Sequence, residues 1–169
     1  MTAERSVLVA LGEGEVVLRG GVGVIRKISS AATGGTFSVV EHPLEPGALA
    51  APPHTHADVD EYSIVIEGEI GVLMDEETFR ATVGSCVLKP RGVPHTFWNP
   101  GPKPARVLEI ISPASFEDYF HELAAILSST PPGEPPDFAR IAEMAGRSGT
   151  TFHMERMPEI MERHCVQLR

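Results

Sequence analysis

Short apolar runs fill the first two thirds of the chain, and their composition predicts β-strands. They are rich in Val, Ile and Thr and are separated by Gly, Pro and Asp, which favour turns. The clearest runs lie at 7–11, 16–18, 22–28, 36–42, 62–66, 70–74, 78–83, 86–89 and 106–111. About ten strands of this kind predict an all-β jelly roll with two half-buried sheets.

Beyond residue 112 the apolar residues recur at helical spacing. A first helix is predicted from the stripe Phe116, Tyr119, Phe120, Leu123, Ile126 and Leu127. Ser115 and Asp118 form a capping-box pattern at its start. We expect the stripe to pack on the sheets as core rather than to bind a cofactor, because aromatic residues in such stripes are usually buried.

A proline-rich linker, 128–136, separates this helix from a second one, which begins with Asp137 as its cap and ends at Gly146. The last stretch, 149–169, has no strong pattern beyond a methionine-containing helical segment after Pro158. It could close the mouth of the barrel, dock on a second subunit or cover its own core. The last of these is the commonest outcome.

The pattern divides the 169 residues into a β-barrel, 1–112, and a helical extension, 113–169, packed on the barrel. A chain of this length can bury a core without disulfides. Cys86 lies in an apolar run, and we interpret it as a small buried hydrophobic residue. Its spacing from Cys165 does not suggest a bridge.

The charge balance is acidic, with 23 Asp and Glu against 14 Lys and Arg and a net charge of −9. Nucleic-acid binding favours a clustered basic surface, so we expect no nucleic-acid partner. No apolar run has the length of a transmembrane helix, and residues 1–6 lack the apolar segment of a signal peptide. We therefore expect a cytoplasmic protein with no membrane partner.

Three histidines and one glutamate form a candidate metal site: His54, His56, Glu61 and His95. His54 and His56 are separated by one residue, so on a strand both imidazoles leave the same face and can share one ion. Glu61 lies at an odd spacing from His56, so the segment 58–60 must hold a bend or bulge that re-aims it. His95 follows a turn signal at 90–92 and must return on a neighbouring strand.

Imidazole and carboxylate ligands suit one divalent transition metal, which could be Fe, Mn, Ni, Co, Cu or Zn. Four protein ligands leave one or two positions for a small-molecule substrate and for water or O2. His42 is a further candidate, because it could point into the barrel beside the ion. An isolated strand histidine is more often an ordinary surface residue.

Two segments resemble the paired motifs of the cupin superfamily. The first motif, G-x5/6-H-x-H-x3/4-E-x6-G, is matched over 47–68 by Gly47, His54, His56, Glu61 and Gly68. The second, G-x5-P-x-G-x2-H-x3-N, is matched over 84–99 by Gly84, Pro90, Gly92, His95 and Asn99. The resemblance implies a small antiparallel jelly-roll barrel in which His54, His56, Glu61 and His95 are the metal ligands.

The start of the helical part resembles a subgroup of bacterial monocupins that includes quercetinase-like dioxygenases. The residues that carry this likeness are Ser115, Phe116, Glu117, Tyr119 and Phe120. In that group a metal held by three histidines and one glutamate binds a flavonol or another enolizable substrate, and O2 attacks it. The resemblance implies a dioxygenase in which Glu61 is a metal ligand at rest and a general base once the substrate displaces it.

Other functions stay open, because the same fold carries many activities. A sugar isomerase or epimerase acting on a sugar phosphate needs a positive group near the barrel mouth. Lys89, Arg91 and Arg106 are the candidates, although Lys89 and Arg91 fit a solvated turn better. A non-catalytic module would hold a small molecule without turning it over. The apolar outward face of strand 62–66 favours a homodimer, unless the helices cover that face within one subunit.

Overall fold

β-strands build the core of the chain in the computed structural model, which describes residues 8–131 and 134–168. The strands are β1 (Glu15–Leu18), β2 (Val24–Ile28), β3 (Ser38–Leu44), β4 (Ala48–Leu49), β5 (His54–His56), β6 (Asp60–Glu67), β7 (Glu69–Met74), β8 (Glu77–Thr82), β9 (Cys86–Lys89), β10 (His95–Trp98), β11 (Ala105–Ser112), β12 (Thr150–Phe152) and β13 (Gln167–Leu168). The helices are α1 (Glu117–Ser128), α2 (Phe138–Arg147) and α3 (Met157–His164). The predicted fold class, a jelly roll with helices in the C-terminal part, is confirmed.

The strands form two sheets that face each other. The first has the order β1-β2-β3-β11-β6-β9, and the second has the order β12-β5-β10-β4-β13, with β7 pairing with β10 and β8. Apolar side chains from both sheets, among them Val65, Val72, Phe97 and Val107, form one buried cluster between them. On β11 every second residue is buried, as the two-residue period of a strand requires.

Several buried positions of the sheets carry polar or charged side chains instead. They are Ser38, Glu41, His42, His56, Glu61, Ser63, Lys89, His95, Thr96 and Glu109. Charged side chains are rarely buried unless they are paired, because the loss of hydration is costly. This concentration of ionisable groups inside a β-sandwich indicates a functional site.

The helices cover the sandwich in two places. Phe116 and Tyr119, at the start of α1, join a buried cluster with Val40 of β3 and Met144 of α2. Helix α3 packs Met157, Ile160 and the following Val166 against Leu49, Leu73 and Trp98 of the second sheet. Helix α3 therefore covers the core of its own chain, which is one of the three possibilities for the C-terminal stretch, and docking on a second subunit stays a prediction.

The N-terminal strand prediction is wrong for residues 8–11, which form no strand; Val7 lies outside the described residues. The carbonyl oxygens of Ala10 and Glu13 accept hydrogen bonds from the ammonium of Lys27, at 2.7 Å for Glu13. The backbone at residues 10–13 therefore forms hydrogen bonds with the Lys27 side chain instead of pairing with a strand.

Two further local predictions need correction. Ser115 does not cap α1, because a 3-10 turn, Ala114–Phe116, precedes the helix and makes Phe116 its N-cap residue. Cys86 is exposed rather than buried, since its side chain leaves the outer face of β9. The second helix begins as predicted, because the Asp137 carboxylate accepts a hydrogen bond from the Arg140 amide.

Two remaining observations concern the outside of the molecule. Within the described ranges, no helix is long and apolar enough to cross a lipid bilayer. Tyr62, Ile64 and Ile66 on β6 are half-buried and alternate with buried residues, as expected for an outward apolar face. The homodimer stays a prediction.

Candidate metal centre

The four residues predicted to bind a metal lie together inside the sandwich. One potential ligand atom from each of His54, His56, Glu61 and His95 lies within 4.8 Å of the others. His56, Glu61 and His95 are buried, and His54 is half-buried. The arrangement is therefore shielded from bulk solvent.

Both sheets contribute to the site. His54 and His56 lie on β5, and His95 lies on β10 directly opposite His54 in an antiparallel pair. Glu61 comes from β6 of the other sheet. The chain leaves one sheet after His56, buries Val59 and enters the facing sheet at Asp60. The predicted bend is thus a crossing between sheets, which turns Glu61 back toward the histidines.

The turn before His95 is tied to the histidine strand. Gly92 has a φ of +78°, a conformation that favours glycine. Its amide donates a hydrogen bond of 2.8 Å to the carbonyl oxygen of His56. This bond fixes the start of β10 relative to β5.

A hydrogen bond to the backbone orients two of the imidazoles. Nδ1 of His54 lies 2.8 Å from the carbonyl oxygen of Pro52. Nδ1 of His95 lies 2.9 Å from the carbonyl oxygen of Val93. A carbonyl can only accept, so each Nδ1 carries the proton and each Nε2 keeps its lone pair for another partner.

The buried Nε2 atoms of His56 and His95 have no hydrogen-bond partner among the described residues. They lie 3.2 and 3.3 Å from the two carboxylate oxygens of Glu61, without hydrogen-bond geometry. Buried polar atoms without partners are uncommon and call for an explanation. Imidazole nitrogens that converge on a carboxylate form a donor set that fits a divalent transition metal.

Thr150 is a site residue that the sequence pattern did not reveal. Its hydroxyl lies 2.9 Å from Nδ1 of His56, and both groups are buried. Strand β12 pairs with β5 so that Thr150 is opposite His56. The C-terminal segment therefore orients one of the proposed metal ligands.

We expect Thr150→Val to weaken binding of a divalent metal by about 10- to 100-fold, because the hydroxyl that fixes the His56 ring is lost while the volume is kept. Titration of the metal-free protein with Co²⁺ measures the effect. Thr150→Ser should bind like the wild type, and so should Thr151→Val on the exposed side of the same strand. Equal affinities for Thr150→Val and Thr151→Val would contradict the assigned role.

Electrostatics favour a neutral imidazole at His54 and an ionised carboxylate at Glu61. Burial, with the nearby His95 and His56, holds the pKa of His54 well below its usual range. Burial alone would raise the pKa of Glu61, but the Lys89 charge and the two histidines hold it well below its usual range. These are the protonation states that metal binding requires.

The prediction that Lys89 lies on a solvated turn is wrong. Its side chain is 1% exposed, and its ammonium lies 2.7 Å from Oε2 of Glu61. The ammonium also contacts the Glu109 carboxylate, which accepts a 2.7 Å hydrogen bond from the Ser63 hydroxyl. Nε2 of His42 lies 3.2 Å from the other Glu109 oxygen. Four ionisable groups thus form a buried line that ends at a proposed metal ligand.

His42 lies in the interior, beside the cluster, rather than on the surface. Its ring is 4% exposed and contacts Phe97 and Phe120. Its Nδ1 is 2.9 Å from the carbonyl oxygen of Gly23. His42 therefore joins the buried line of side chains through Glu109.

Aromatic rings from the helical part and β12 surround the histidines. Phe116 packs against His56 with ring centroids 4.7 Å apart, and Phe152 packs against His54 at 6.3 Å. Tyr119 stacks on Phe116. Burial and the charge of Glu61 raise the pKa of Tyr119 to about 12, so its hydroxyl stays protonated. The predicted apolar stripe is core, as expected, and it also walls the site.

The two arginines considered as phosphate-binding groups already have acidic partners. Arg91 is exposed, as predicted, and its guanidinium lies 2.7 Å from Asp60. Arg106 contacts Glu41 and lies 3.1 Å from Glu67. Each guanidinium therefore already forms an ion pair with a carboxylate of the same chain.

A family model described as the cupin domain matches residues 40–111, a range that includes the four proposed ligands. No curated protein matches the chain significantly. The domain match and the fold together support the cupin superfamily.

Three solved structures illustrate the likeness. A sugar phosphate isomerase from Silicibacter pomeroyi is 30% identical, with 54% of this chain and 59% of that chain covered and a TM-score of 0.49. A putative sugar phosphate isomerase from Acidithiobacillus ferrooxidans is 22% identical, with 63% and 74% covered and a TM-score of 0.52. A predicted oxalate decarboxylase from Thermotoga maritima is 20% identical, with 56% and 82% covered and a TM-score of 0.52. The last two show a common fold, which does not define a reaction.

Proposed function

We propose that this chain, a cupin by its domain match and its fold, is a metal-dependent dioxygenase acting on a small enolizable or phenolic compound. The observation that carries the proposal is the convergence of buried imidazole nitrogens, which have no hydrogen-bond partner within residues 8–131 and 134–168, on the Glu61 carboxylate. The resemblance to quercetinase-like monocupins supplies the reaction class. The aromatic wall formed by Phe116, Tyr119 and Phe152 suits a flat, unsaturated substrate.

The site residues are proposed to have two roles, metal binding and proton transfer. His54, His56, His95 and Glu61 would hold the ion. A bound transition metal would supply Lewis acidity toward a substrate hydroxyl and the redox chemistry that O2 requires. Glu61, ionised and buried, is placed to accept the hydroxyl proton at a carboxylate oxygen once the substrate is bound. The aromatic side chains exclude water from the reacting groups.

An isomerase acting on sugar phosphates is supported less well. A phosphate group requires a cation that is free to bind it. Lys89 is buried between two carboxylates, and Arg91 and Arg106 have their own acidic partners. A non-catalytic binding module remains the second candidate, because intact metal ligands do not by themselves imply turnover.

The proposal is tested with full-length protein stripped of metal and reloaded separately with Fe²⁺, Mn²⁺, Ni²⁺, Co²⁺ or Cu²⁺. We expect O2 uptake with at least one metal and one member of a panel of flavonols, catechols and 1,3-diketones. Mass spectrometry with isotopically labelled O2 should find both oxygen atoms in the product. Metal-dependent substrate binding without O2 uptake would instead establish a binding module, and sugar phosphate interconversion would establish an isomerase.

Glu61→Gln separates the two roles of this residue. If Glu61 acts as the general base, the amide should reduce O2 uptake by about 100-fold or more while much of the metal is retained, because the three imidazoles still bind it. Elemental analysis and O2 uptake are measured on the same preparation. If metal content falls in parallel with activity, Glu61 serves only as a ligand.

A further inference from the structure

The buried ammonium of Lys89 forms an ion pair with the Glu61 carboxylate, which would also bind the metal. Lys89 lies on β9 directly opposite Glu61 on β6. Its Nζ is 2.7 Å from Oε2 of Glu61, and the same oxygen is 3.3 Å from Nε2 of His95. A divalent ion held by His95 and Glu61 would therefore lie close to a second cation.

Lys89 is buried between two carboxylates, those of Glu61 and Glu109. Burial alone would lower its pKa, but the carboxylates of Glu109 and Glu61 more than offset this and raise its pKa above the ordinary value. The side chain is also fixed in place, because the ammonium lies 4.7 Å from the centre of the Phe97 ring. Lys89 therefore places an ammonium group directly beside the proposed metal centre.

Glu109 shares this lysine with Glu61. Its carboxylate contacts the ammonium, and its pKa is lowered to about 2 despite burial, mainly by the charge of Lys89 and the contact with His42. Because the Lys89 ammonium pairs with two carboxylates, its electrostatic attraction is shared between Glu61 and Glu109. The two acids therefore compete for one lysine.

We propose that Lys89 is a positioning residue that makes Glu61 a releasable metal ligand, and that Glu109 sets the strength of this effect. Lys89 stabilises the Glu61 carboxylate off the metal as well as on it. If Glu61 left the ion, its carboxylate would still be paired with the Lys89 ammonium and would not become an unpaired buried charge. The release step rests on the proposed function, whereas the effect on metal affinity requires only that the site binds a metal.

Lys89→Met and Glu109→Gln, substitutions of two buried residues, should change the metal affinity in opposite directions. Lys89→Met removes the repelling cation and frees Glu61, so the Kd for Co²⁺ should fall about tenfold or more. Glu109→Gln leaves Lys89 with Glu61 as its remaining charged partner, so the Kd should rise about tenfold. If both side chains only supported the fold, the two changes would weaken metal binding together.

Calorimetric titration of the metal-free, full-length proteins with Co²⁺ measures both values, and visible absorption reports the geometry of the bound ion. In turnover with a substrate identified for the wild type, Lys89→Met should lower kcat more than it changes KM, because Glu61 leaves the metal less readily. A Kd shift in the same direction for both variants, or shifts below threefold in both, would overturn the inference.

Two controls keep the test decisive. If Lys89→Met does not fold by circular dichroism, Glu109→Gln decides alone, because it keeps the Lys89–Glu61 pair. An unchanged or lower Kd for Glu109→Gln then rejects the inference. Wild-type protein that binds no Co²⁺, Ni²⁺ or Zn²⁺ would overturn the proposed function and this inference together. Wild-type binding with unaffected variants would overturn the inference alone.

Discussion

His95→Ala is expected to abolish stoichiometric metal binding while the fold is kept. His95 is one of three imidazoles in the cluster, and its buried Nε2 has no hydrogen-bond partner in the part of the chain that the structure describes. Removing a ligand itself should cost more than the 10- to 100-fold loss that is typical of changes around a site, so we expect a loss of about 1,000-fold. Elemental analysis of protein expressed in metal-supplemented medium, together with Co²⁺ titration, measures the effect.

His121→Ala is the matched control, because it makes the same substitution outside the cluster. His121 is half-buried on α1, and its Nε2 is 3.5 Å from the guanidinium of Arg26. It should retain the wild-type metal content. Wild-type amounts of metal in His95→Ala would show that the ion binds elsewhere, whereas a wild type without metal under any loading would leave a metal-free ligand-binding fold.

Within the candidate ligand set, the pairing of His54 and His56 could be predicted because it is local. The spacing of His54 and His56 places both rings on one face of a strand, whatever the rest of the chain does. The odd spacing to Glu61 required a bend, and the chain crosses between sheets there. Spacing alone did not distinguish a bulge from a sheet crossing, because that depends on the partner strands.

One error of strand parity accounts for two wrong predictions in β9. The sequence interpretation places Cys86 in the interior and Lys89 on a solvated turn. The observed burial is the reverse, with Val87 and Lys89 inside and Cys86 outside. A shift of one residue exchanges the two faces of a strand. Lys89 is inward because Glu61 and Glu109 supply its counter-charges, and neither partner lies on the same strand.

Thr150 could not be found from the sequence for a related reason. It lies 94 residues from His56 along the chain, in a strand of three residues. A hydroxyl that orients a ligand needs no motif, since it is defined by the pairing of β12 with β5. The candidate ligands could therefore be proposed from the sequence, whereas a residue that contacts them from a distant strand, such as Thr150, depends on tertiary structure.

Gly71→Ala is expected to destabilise the protein by ~3 kcal/mol, because the site has no room for a methyl group. Gly71 on β7 lies directly opposite Trp98 on β10. A Cβ atom at this position would lie 2.2 Å from Cε2 of Trp98 and 2.4 Å from its Nε1. The indole is 3% exposed, stacks on His164 with ring centroids 4.3 Å apart and packs against Met157 of α3. The ring cannot move without displacing the helix that covers the second sheet.

Gly146→Ala, the same substitution at another position, is expected to stabilise the protein instead. Gly146 lies near the end of α2 and is exposed, and beyond its chain neighbours and its own helix backbone no atom of the described residues lies within 4 Å of the added carbon. An alanine in a helix loses less conformational entropy on folding than a glycine, so this variant should be stabilised by ~0.5 kcal/mol.

Urea denaturation of the metal-free proteins, followed by the fluorescence of Trp98, measures both free energies of unfolding. Because the chain contains one tryptophan, a changed emission of folded Gly71→Ala would also show directly that the indole has been displaced. Equal stabilities of the two variants would mean that α3 moves freely enough to accept the methyl group, and the packing of α3 on Trp98 would then not be a source of stability.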